Sequence, residues 1–117
     1  MRNRHMSYKS EFGADFDLGF DLYNYPYLKD NSWHNNVSPS FYFNVGSQHY
    51  VLWADYTDHA QREDTNPRYL IQKAINEGDE KHPEIYASSG DIIFESELVV
   101  DLNQFLNSLR DSHDHTN

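Results

Sequence analysis

The sequence predicts an α+β fold, in which an antiparallel, meander-like β-sheet of about five strands carries a C-terminal helix packed on one face. Two observations support this prediction. Short runs rich in aromatic and β-branched residues recur between residues 15 and 100, separated by turn residues. One amphipathic segment then follows near the end of the chain, and strands followed by a helix are typical of α+β domains.

Charge and polarity divide the 117 residues into three regions. Residues 1–10 contain three basic residues and no acidic residue, which predicts a flexible basic N-terminal arm. Residues 11–110 are expected to form a single α+β domain, because the length fits one hydrophobic core. Residues 111–117 are polar and are expected to form a disordered tail.

The first predicted strand spans Asp15–Leu22. Large apolar residues alternate there with aspartate or glycine, and a period of two is typical of a half-buried strand. Residues 23–40 contain Pro26 and Pro39 and are expected to be a long connection with room for a turn of helix. Residues 41–45 and 49–56 then flank a short loop at Gly46, which predicts a β-hairpin.

The next segment, residues 67–76, fits either a strand or a helix. Asn66 and Pro67 would form a good helix start, but apolar residues in the segment also alternate and the segment is short, so a strand is favoured. Residues 84–87 and 91–100 are expected to form a further strand pair across a turn at 88–90.

The clearest helix is predicted to begin at Asp101. This residue is a good N-cap, and Gln104 three positions later completes a capping-box pattern. A helix of about twelve residues would be marginal alone, so its apolar side must pack against the sheet. That side is one continuous stripe made by Leu102, Phe105, Leu106 and Leu109.

Negative charge dominates the composition. The chain has 19 acidic and nine basic residues, a formal net charge of −10, yet 15% of its residues are aromatic, which indicates a folded domain. It has no cysteine, so disulfide scaffolds and cysteine-ligated zinc sites are excluded. The longest apolar run, residues 50–54, is too short to span a membrane. We expect a cytoplasmic protein whose charge disfavours direct binding to nucleic acid or anionic lipid.

The motifs of common enzyme classes are missing. The sequence has no phosphate-binding glycine loop, no His-Glu-x-x-His zinc motif and no nucleophile elbow. His113 and His115 could chelate a cation, but their polar tail offers no residues to orient them. His49 and His59 are expected to be surface or edge histidines. We therefore expect no catalytic activity, no metal and no cofactor.

The arrangement of the acidic residues suggests a binding function. Alternate residues of a strand project from the same face, so Asp15, Asp17 and Asp21 are expected to form one row of carboxylates, and Glu95 and Glu97 a second. Rows of like charge destabilise a sheet, so they indicate a role beyond solubility, the alternative explanation of the charge. With the loop clusters added, the expected partner-binding residues are Asp15, Asp17, Asp21, Asp55, Asp58, Glu63, Asp64, Glu77, Asp79, Glu80, Glu84, Glu95 and Glu97.

The chain is small, opens with an acidic and aromatic segment from Glu11 to Asp21, and lacks a catalytic signature. In these features the whole chain resembles the small bacterial DNA-mimic proteins that bind the histone-like nucleoid protein HU. The resemblance implies a monomer whose carboxylates imitate DNA phosphates and which displaces DNA from a basic, HU-like dimer. Such a protein would associate with the nucleoid through its partner.

Two other functions remain open. An immunity protein that blocks the basic active site of a toxic nuclease would also be small and acidic. A small hydrolase would instead require a concave pocket that holds His49 or His59 beside Asp55.

Overall fold

A computed structural model describes residues 12–13, 16–30, 38–62, 67–79 and 81–115, with the backbone alone for 88–90 and 112–115. Its sheet has five antiparallel strands in the order in which they occur along the chain, followed by one helix. The predicted α+β meander is therefore confirmed, while the predicted arm 1–10 lies outside the described residues. The elements are β1 (Lys29–Asp30), β2 (Ser40–Val45), β3 (Gln48–Ala54), β4 (Tyr69–Asn76), β5 (Ile85–Ser96) and α1 (Val99–His115).

Strands β2 and β3 form the predicted hairpin. Phe41 pairs with Leu52 and Val45 with Gln48, and the two strands are joined by Gly46 and Ser47. Gly46 has a φ of 62°, a conformation that glycine adopts without steric cost and that tight hairpin turns require.

Strand β4 confirms the strand prediction for the ambiguous segment. It pairs with β3 on one side and β5 on the other, and its first three residues, Tyr69, Leu70 and Ile71, are all buried. A central strand buries both faces of its backbone ribbon, which explains why consecutive apolar residues are tolerated here. The potential helix start at Asn66 and Pro67 is overridden by pairing on both edges.

The prediction of two strands across a turn at 88–90 was wrong, because residues 85–96 form one strand. Ala74 pairs with Ala87 and Gln72 pairs with Ile92, so residues 88–91 lie opposite Lys73 alone. Small residues and glycine accommodate such an irregularity by bulging out of the ladder. The strand therefore keeps its direction where the sequence pattern suggested a reversal.

Helix α1 covers one face of the sheet with the predicted apolar stripe. Leu102 and Leu106 are fully buried with Phe41, Leu52 and Ile71 of the sheet. Burial of a leucine side chain stabilises a fold by about 1.5–3 kcal/mol, which allows the helix to persist where it would be marginal in isolation.

Both ends of the helix differ from the prediction. It begins at Val99, so Asp101 lies in its first turn rather than at the N-cap, where it accepts a hydrogen bond from Ser96 Oγ at 2.7 Å. An acidic residue in the first turn favours the helix through the macrodipole. The helix continues to His115, so residues 111–115, expected in a disordered tail, are helical.

The predicted strand Asp15–Leu22 was also wrong. Residues 16–22 are described and contain no strand, and a short 3₁₀ helix begins at Leu22. Leu18 is buried, and its carbonyl accepts a hydrogen bond from the Tyr69 hydroxyl at 2.5 Å. Gly19 has a φ of 84°, and a Cβ there would overlap the hydroxyl of Tyr69. The contacts of Tyr69 with Leu18 and Gly19 hold the segment as a loop, although its alternating apolar residues predicted a strand.

The sheet face opposite the helix carries a second, smaller core. Val51, Ala74 and Ile85 are buried there, and Tyr42 and Trp53 pack against them. The Trp53 indole donates a hydrogen bond to Gln72 Oε1 at 2.9 Å. This part of the sheet therefore combines apolar burial with a satisfied polar group.

Candidate partner-binding surface

The predicted carboxylate rows do not form. Because residues 16–22 are not a strand, Asp17 and Asp21 do not project from one strand face. Each side chain instead accepts a backbone N–H two residues later, from Gly19 at 2.8 Å and from Tyr23 at 2.9 Å respectively. Asp15, the third predicted member of this row, lies outside the described residues.

The second row fails because Glu97 belongs to an internal ion pair. Arg62 donates two hydrogen bonds to its carboxylate, at 2.9 Å and 2.6 Å, and the Arg68 N–H adds a third at 3.2 Å. The hydrogen bonds from Arg62 are the main cause that lowers the pKa of Glu97 to about 2. Glu95 remains exposed on β5 without its expected neighbour.

Arg62 and Arg68 connect the loop after β3 to the end of β5 and to the N-terminal segment. The Arg62 side chain is only 2% exposed, and it also donates to the Tyr56 carbonyl at 2.7 Å. Arg68 donates to the carbonyls of Asp17 and Asp55, at 2.5 Å and 3.2 Å. Neither arginine was predicted to have a role, although Arg62 stands directly before two acidic residues in the sequence.

Asp55 is not part of the partner-binding surface. Its exposure is 6%, and its carboxylate accepts the Tyr56 N–H at 2.8 Å. The residue directly follows β3 and points into the packed end of the sheet, whereas the sequence placed it in an exposed loop cluster. A carboxylate buried in this way forms its contacts within the protein and is not exposed to a partner.

Seven predicted carboxylates are exposed, and none of them pairs with lysine or arginine among the described residues. Two lie where the N-terminal segment meets the loop after β3, and three lie in the connection between β4 and β5. Four other predicted residues, Glu63, Asp64, Glu80 and the Asp15 named above, lie outside the described residues. The exposed seven are Asp17, Asp21, Asp58, Glu77, Asp79, Glu84 and Glu95.

One group of exposed carboxylates borders a cavity of about 440 Å³. Three aromatic residues, Phe12, Phe16 and Tyr56, and two acidic residues, Asp17 and Asp58, line it. We call this site the aromatic–acidic pocket. The Phe16 and Tyr56 ring centroids are 4.8 Å apart with a 55° tilt, and Asp58 caps a short 3₁₀ helix by accepting the Ala60 N–H at 2.9 Å.

The second group, which we call the β4–β5 turn cluster, consists of Glu77, Asp79 and Glu84. The Asp79 carboxylate accepts the N–H groups of Lys81 and His82 at 3.0 Å and 2.7 Å, which orients it within the turn. Glu77 and Glu84 pair only through their backbones, at 2.8 Å, so both side chains extend into solvent.

The two groups lie at opposite ends of β4. The aromatic–acidic pocket adjoins the end at Tyr69, and the β4–β5 turn cluster follows the end at Asn76. A strand of this length spans about 25 Å at roughly 3.3 Å per residue. Five of the seven exposed carboxylates therefore fall into two separate clusters, and they do not form continuous rows.

The aromatic–acidic pocket does not hold the histidines that a hydrolase site was expected to place beside Asp55. The cavity is lined by neither His49, His59 nor Asp55, and His59 lies 3.6 Å from Glu97, which is already bound by Arg62. Within the described residues no group of three potential metal ligands is found. The side chains of His113 and His115 lie outside that part of the chain.

No protein-family model, curated protein or solved structure matches this chain. Among the described residues, no helix combines the length and apolarity needed to cross a membrane. The function is therefore inferred from the fold, the charge and the positions of the exposed carboxylates.

Proposed function

We propose that this protein is a non-enzymatic, monomeric acidic protein that binds a basic DNA-binding protein and competes with DNA for it. The resemblance noted from the sequence implies an HU-like dimer as the partner, which would bring the protein to the nucleoid. The observation that carries the proposal is the set of seven exposed carboxylates without a lysine or arginine partner in the described chain.

The geometry of these carboxylates supports binding to a cationic surface. Four of them, Asp17, Asp21, Asp58 and Asp79, accept backbone N–H groups and are therefore held in defined orientations. Preorganised groups lose less conformational entropy when they bind. Electrostatic complementarity also accelerates encounter with a positively charged partner and repels anionic ones.

The mechanism is occlusion of the partner's DNA-binding groups. Lysine and arginine side chains that hold DNA phosphates would instead contact the two acidic clusters, which lie about 25 Å apart on the sheet. Because both complexes depend on charge attraction, the affinity for the partner should fall steeply with ionic strength, as DNA binding does.

A competition assay tests this function. Full-length protein is titrated into an HU-like dimer bound to a fluorescent DNA duplex, at about 50 mM and about 200 mM salt. Displacement of the duplex with a stoichiometric end point, and weaker binding of the two proteins at the higher salt concentration, is the expected result. Failure to displace DNA at low salt would contradict the proposal, and inhibition of a nuclease instead would establish the immunity function.

The β4–β5 turn cluster supplies a variant for this assay. We expect Glu77→Gln with Glu84→Gln to weaken displacement about threefold to tenfold, because each exposed charge pair contributes about 0.2–1 kcal/mol. Among the described residues of the turn, the two glutamate side chains make no hydrogen bonds, so the backbone contacts of the turn should persist. Displacement that is unchanged in this double variant would exclude the turn from the contact.

A further inference from the structure

We propose that the aromatic–acidic pocket binds the guanidinium group of an arginine side chain presented by the basic partner. This inference rests on the proposed function, since it names the chemical group through which one end of the sheet would recognise that partner. The pocket combines fixed carboxylates with a concave aromatic wall, and the β4–β5 turn cluster does not share the aromatic wall.

The cavity has the size and lining of a binding site. Its volume of about 440 Å³ lies within the range of ligand pockets, which are mostly apolar with a few placed polar groups. Phe16 packs at 4.8 Å against Tyr56 and at 6.1 Å against Phe12, measured between ring centroids. These half-buried rings leave part of their surface in the cavity, where the negative faces of aromatic rings attract cations.

Two carboxylates complete the pocket. One oxygen of Asp17 accepts the Gly19 N–H and one oxygen of Asp58 accepts the Ala60 N–H. Within the described residues, the second oxygen of each carboxylate has no hydrogen-bond partner. Both groups are thus oriented by the backbone while each retains an acceptor for a ligand.

The protein's own arginines do not line this cavity. Arg62 and Arg68 lie behind its wall, where they donate to the carbonyls of Tyr56, Thr57 and Asp17. Arg62 is paired with the carboxylate of Glu97, and the Arg68 guanidinium donates to backbone carbonyls. Among the described residues no lysine or arginine is paired with the Asp17 or Asp58 carboxylate, so these two side chains give the pocket a formal charge of −2.

An arginine side chain fits a pocket of aromatic rings and carboxylates better than a lysine, an anionic group or an apolar side chain does. Its planar guanidinium stacks on aromatic rings and donates several hydrogen bonds in a fixed plane, while it is less strongly hydrated than the ammonium of lysine. An anionic group would be repelled by both carboxylates. A neutral apolar side chain would remove the carboxylates from water without giving them a hydrogen bond.

The test is a titration of the isotope-labelled full-length protein with three capped Gly-X-Gly peptides, followed by backbone amide NMR. X is arginine, lysine or citrulline, a neutral analogue that keeps the arginine shape. We expect the arginine peptide to shift amides next to the pocket at Phe16, Tyr56 and Thr57. Its affinity should exceed that of the citrulline peptide by about tenfold, because the cation supplies both the ring and the carboxylate interactions.

Matched variants identify the site. Asp17→Asn with Asp58→Asn removes both charges but retains an oxygen for the two backbone hydrogen bonds, because asparagine caps as well as aspartate. We expect this double variant to weaken binding of the arginine peptide about tenfold. Asp21→Asn is the control, since Asp21 makes the same type of backbone hydrogen bond and is exposed but does not line the cavity. Tyr56→Leu should also weaken binding while the charge is unchanged.

Equal shifts with the citrulline peptide, shifts spread over all acidic segments, or an equal loss in Asp21→Asn would each overturn the pocket proposal. These outcomes are separate from the competition assay. Arginine binding at the pocket without DNA displacement would refute the proposed function alone. DNA displacement that Asp17→Asn with Asp58→Asn leaves unchanged, together with no peptide binding, would refute the pocket alone.

Discussion

Individual carboxylates in this protein either form contacts within the fold or remain exposed at the surface, depending on which groups surround them. Glu97 was predicted to bind a partner, yet it accepts hydrogen bonds from both Arg62 and the Arg68 backbone. Asp58 also carries a carboxylate, but among the described residues it accepts only a backbone N–H, and it borders a cavity. Both residues carry a carboxylate, so the groups that folding places around each carboxylate decide its role.

The ion pair of Glu97 predicts how stability depends on pH. Its pKa is lowered from 4.5 to about 2 in the folded protein, so the unfolded chain binds the proton more readily between these values. The stabilisation is present above about pH 4.5 and is lost as the pH falls towards 2. Glu97→Gln should lower the free energy of unfolding at neutral pH by about 1–3 kcal/mol, moderated because the carboxylate is partly exposed.

Urea denaturation of the wild type and Glu97→Gln across this pH range measures the effect. The difference between the two proteins should shrink as the pH approaches 2. Glu95→Gln, which removes an exposed carboxylate without an arginine partner, should change stability by less than about 0.5 kcal/mol. A difference for Glu97→Gln that stays constant down to pH 2 would contradict the ion-pair interpretation.

At the scale of secondary-structure elements, helix α1 depends on its contact with the sheet. Leu102 and Leu106 are fully buried, and the ring of Phe105 stacks on Phe94 of β5 with centroids 4.7 Å apart. At the far end Arg110 lies over the Tyr27 ring at 3.9 Å. The helix is thus attached along most of its length, and its stability should follow that of the sheet.

Leu106→Ala is expected to destabilise the protein by about 2–5 kcal/mol, because it removes a fully buried side chain and leaves a cavity. Val100→Ala on the same helix should change stability by less than about 0.5 kcal/mol, since Val100 is 51% exposed. Thermal and urea unfolding of both variants checks this difference. Similar losses in the two variants would show that the helix does not pack as described.

The N-terminal segment shows that an element can be held by a few specific contacts without regular pairing. Leu18 is buried, the Tyr69 hydroxyl binds its carbonyl, and Phe20 packs edge-to-face on Phe41 with ring centroids 6.4 Å apart. Residues 16–18 thereby reach the loop after β3 and place Phe16 and Asp17 in the aromatic–acidic pocket. Regular strand pairing would have placed these two side chains on opposite faces.

At the scale of the whole molecule, the formal charge of −10 is distributed unevenly over the described surface. Five of the exposed carboxylates lie in the two clusters at the ends of β4, whereas the guanidinium groups of Arg62 and Arg68 bind groups of the fold itself. Self-repulsion of a net charge opposes folding, and salt screens it within about 10 Å at 0.1 M ionic strength.

We therefore expect added sodium chloride to stabilise the free protein while it weakens binding to a basic partner. The unfolding temperature should rise by a few degrees between about 10 mM and about 200 mM salt, because a Debye length falls from about 30 Å to less than 10 Å over this range. Differential scanning fluorimetry and a binding titration at the same salt concentrations measure both effects. A fall in the unfolding temperature with salt would show that favourable ion pairs outweigh the repulsion.

The amino-acid pattern alone was sufficient for the fold class, the β2–β3 hairpin and the apolar stripe of α1, because these depend on local periodicity and on which residues must leave water. It favoured the β4 strand over a helix, and pairing with β3 and β5 decided between them. It was insufficient for the loop at residues 16–22 and for the unbroken strand β5. Tertiary contacts decided those, through Tyr69 at Leu18 and Gly19 and through pairing of β5 with β4 on either side of residues 88–91.

The acidic composition likewise predicted a charged surface, but it did not predict where the individual carboxylates lie. Whether an aspartate or glutamate is buried, bound by arginine or exposed depends on residues distant in the chain, as the separation of 35 positions between Arg62 and Glu97 shows. Local patterns cannot report such long-range neighbours, since electrostatic and hydrogen-bond energies depend on separation in space rather than in sequence. Only the folded sheet could bring Phe16, Asp17, Tyr56 and Asp58 to one cavity.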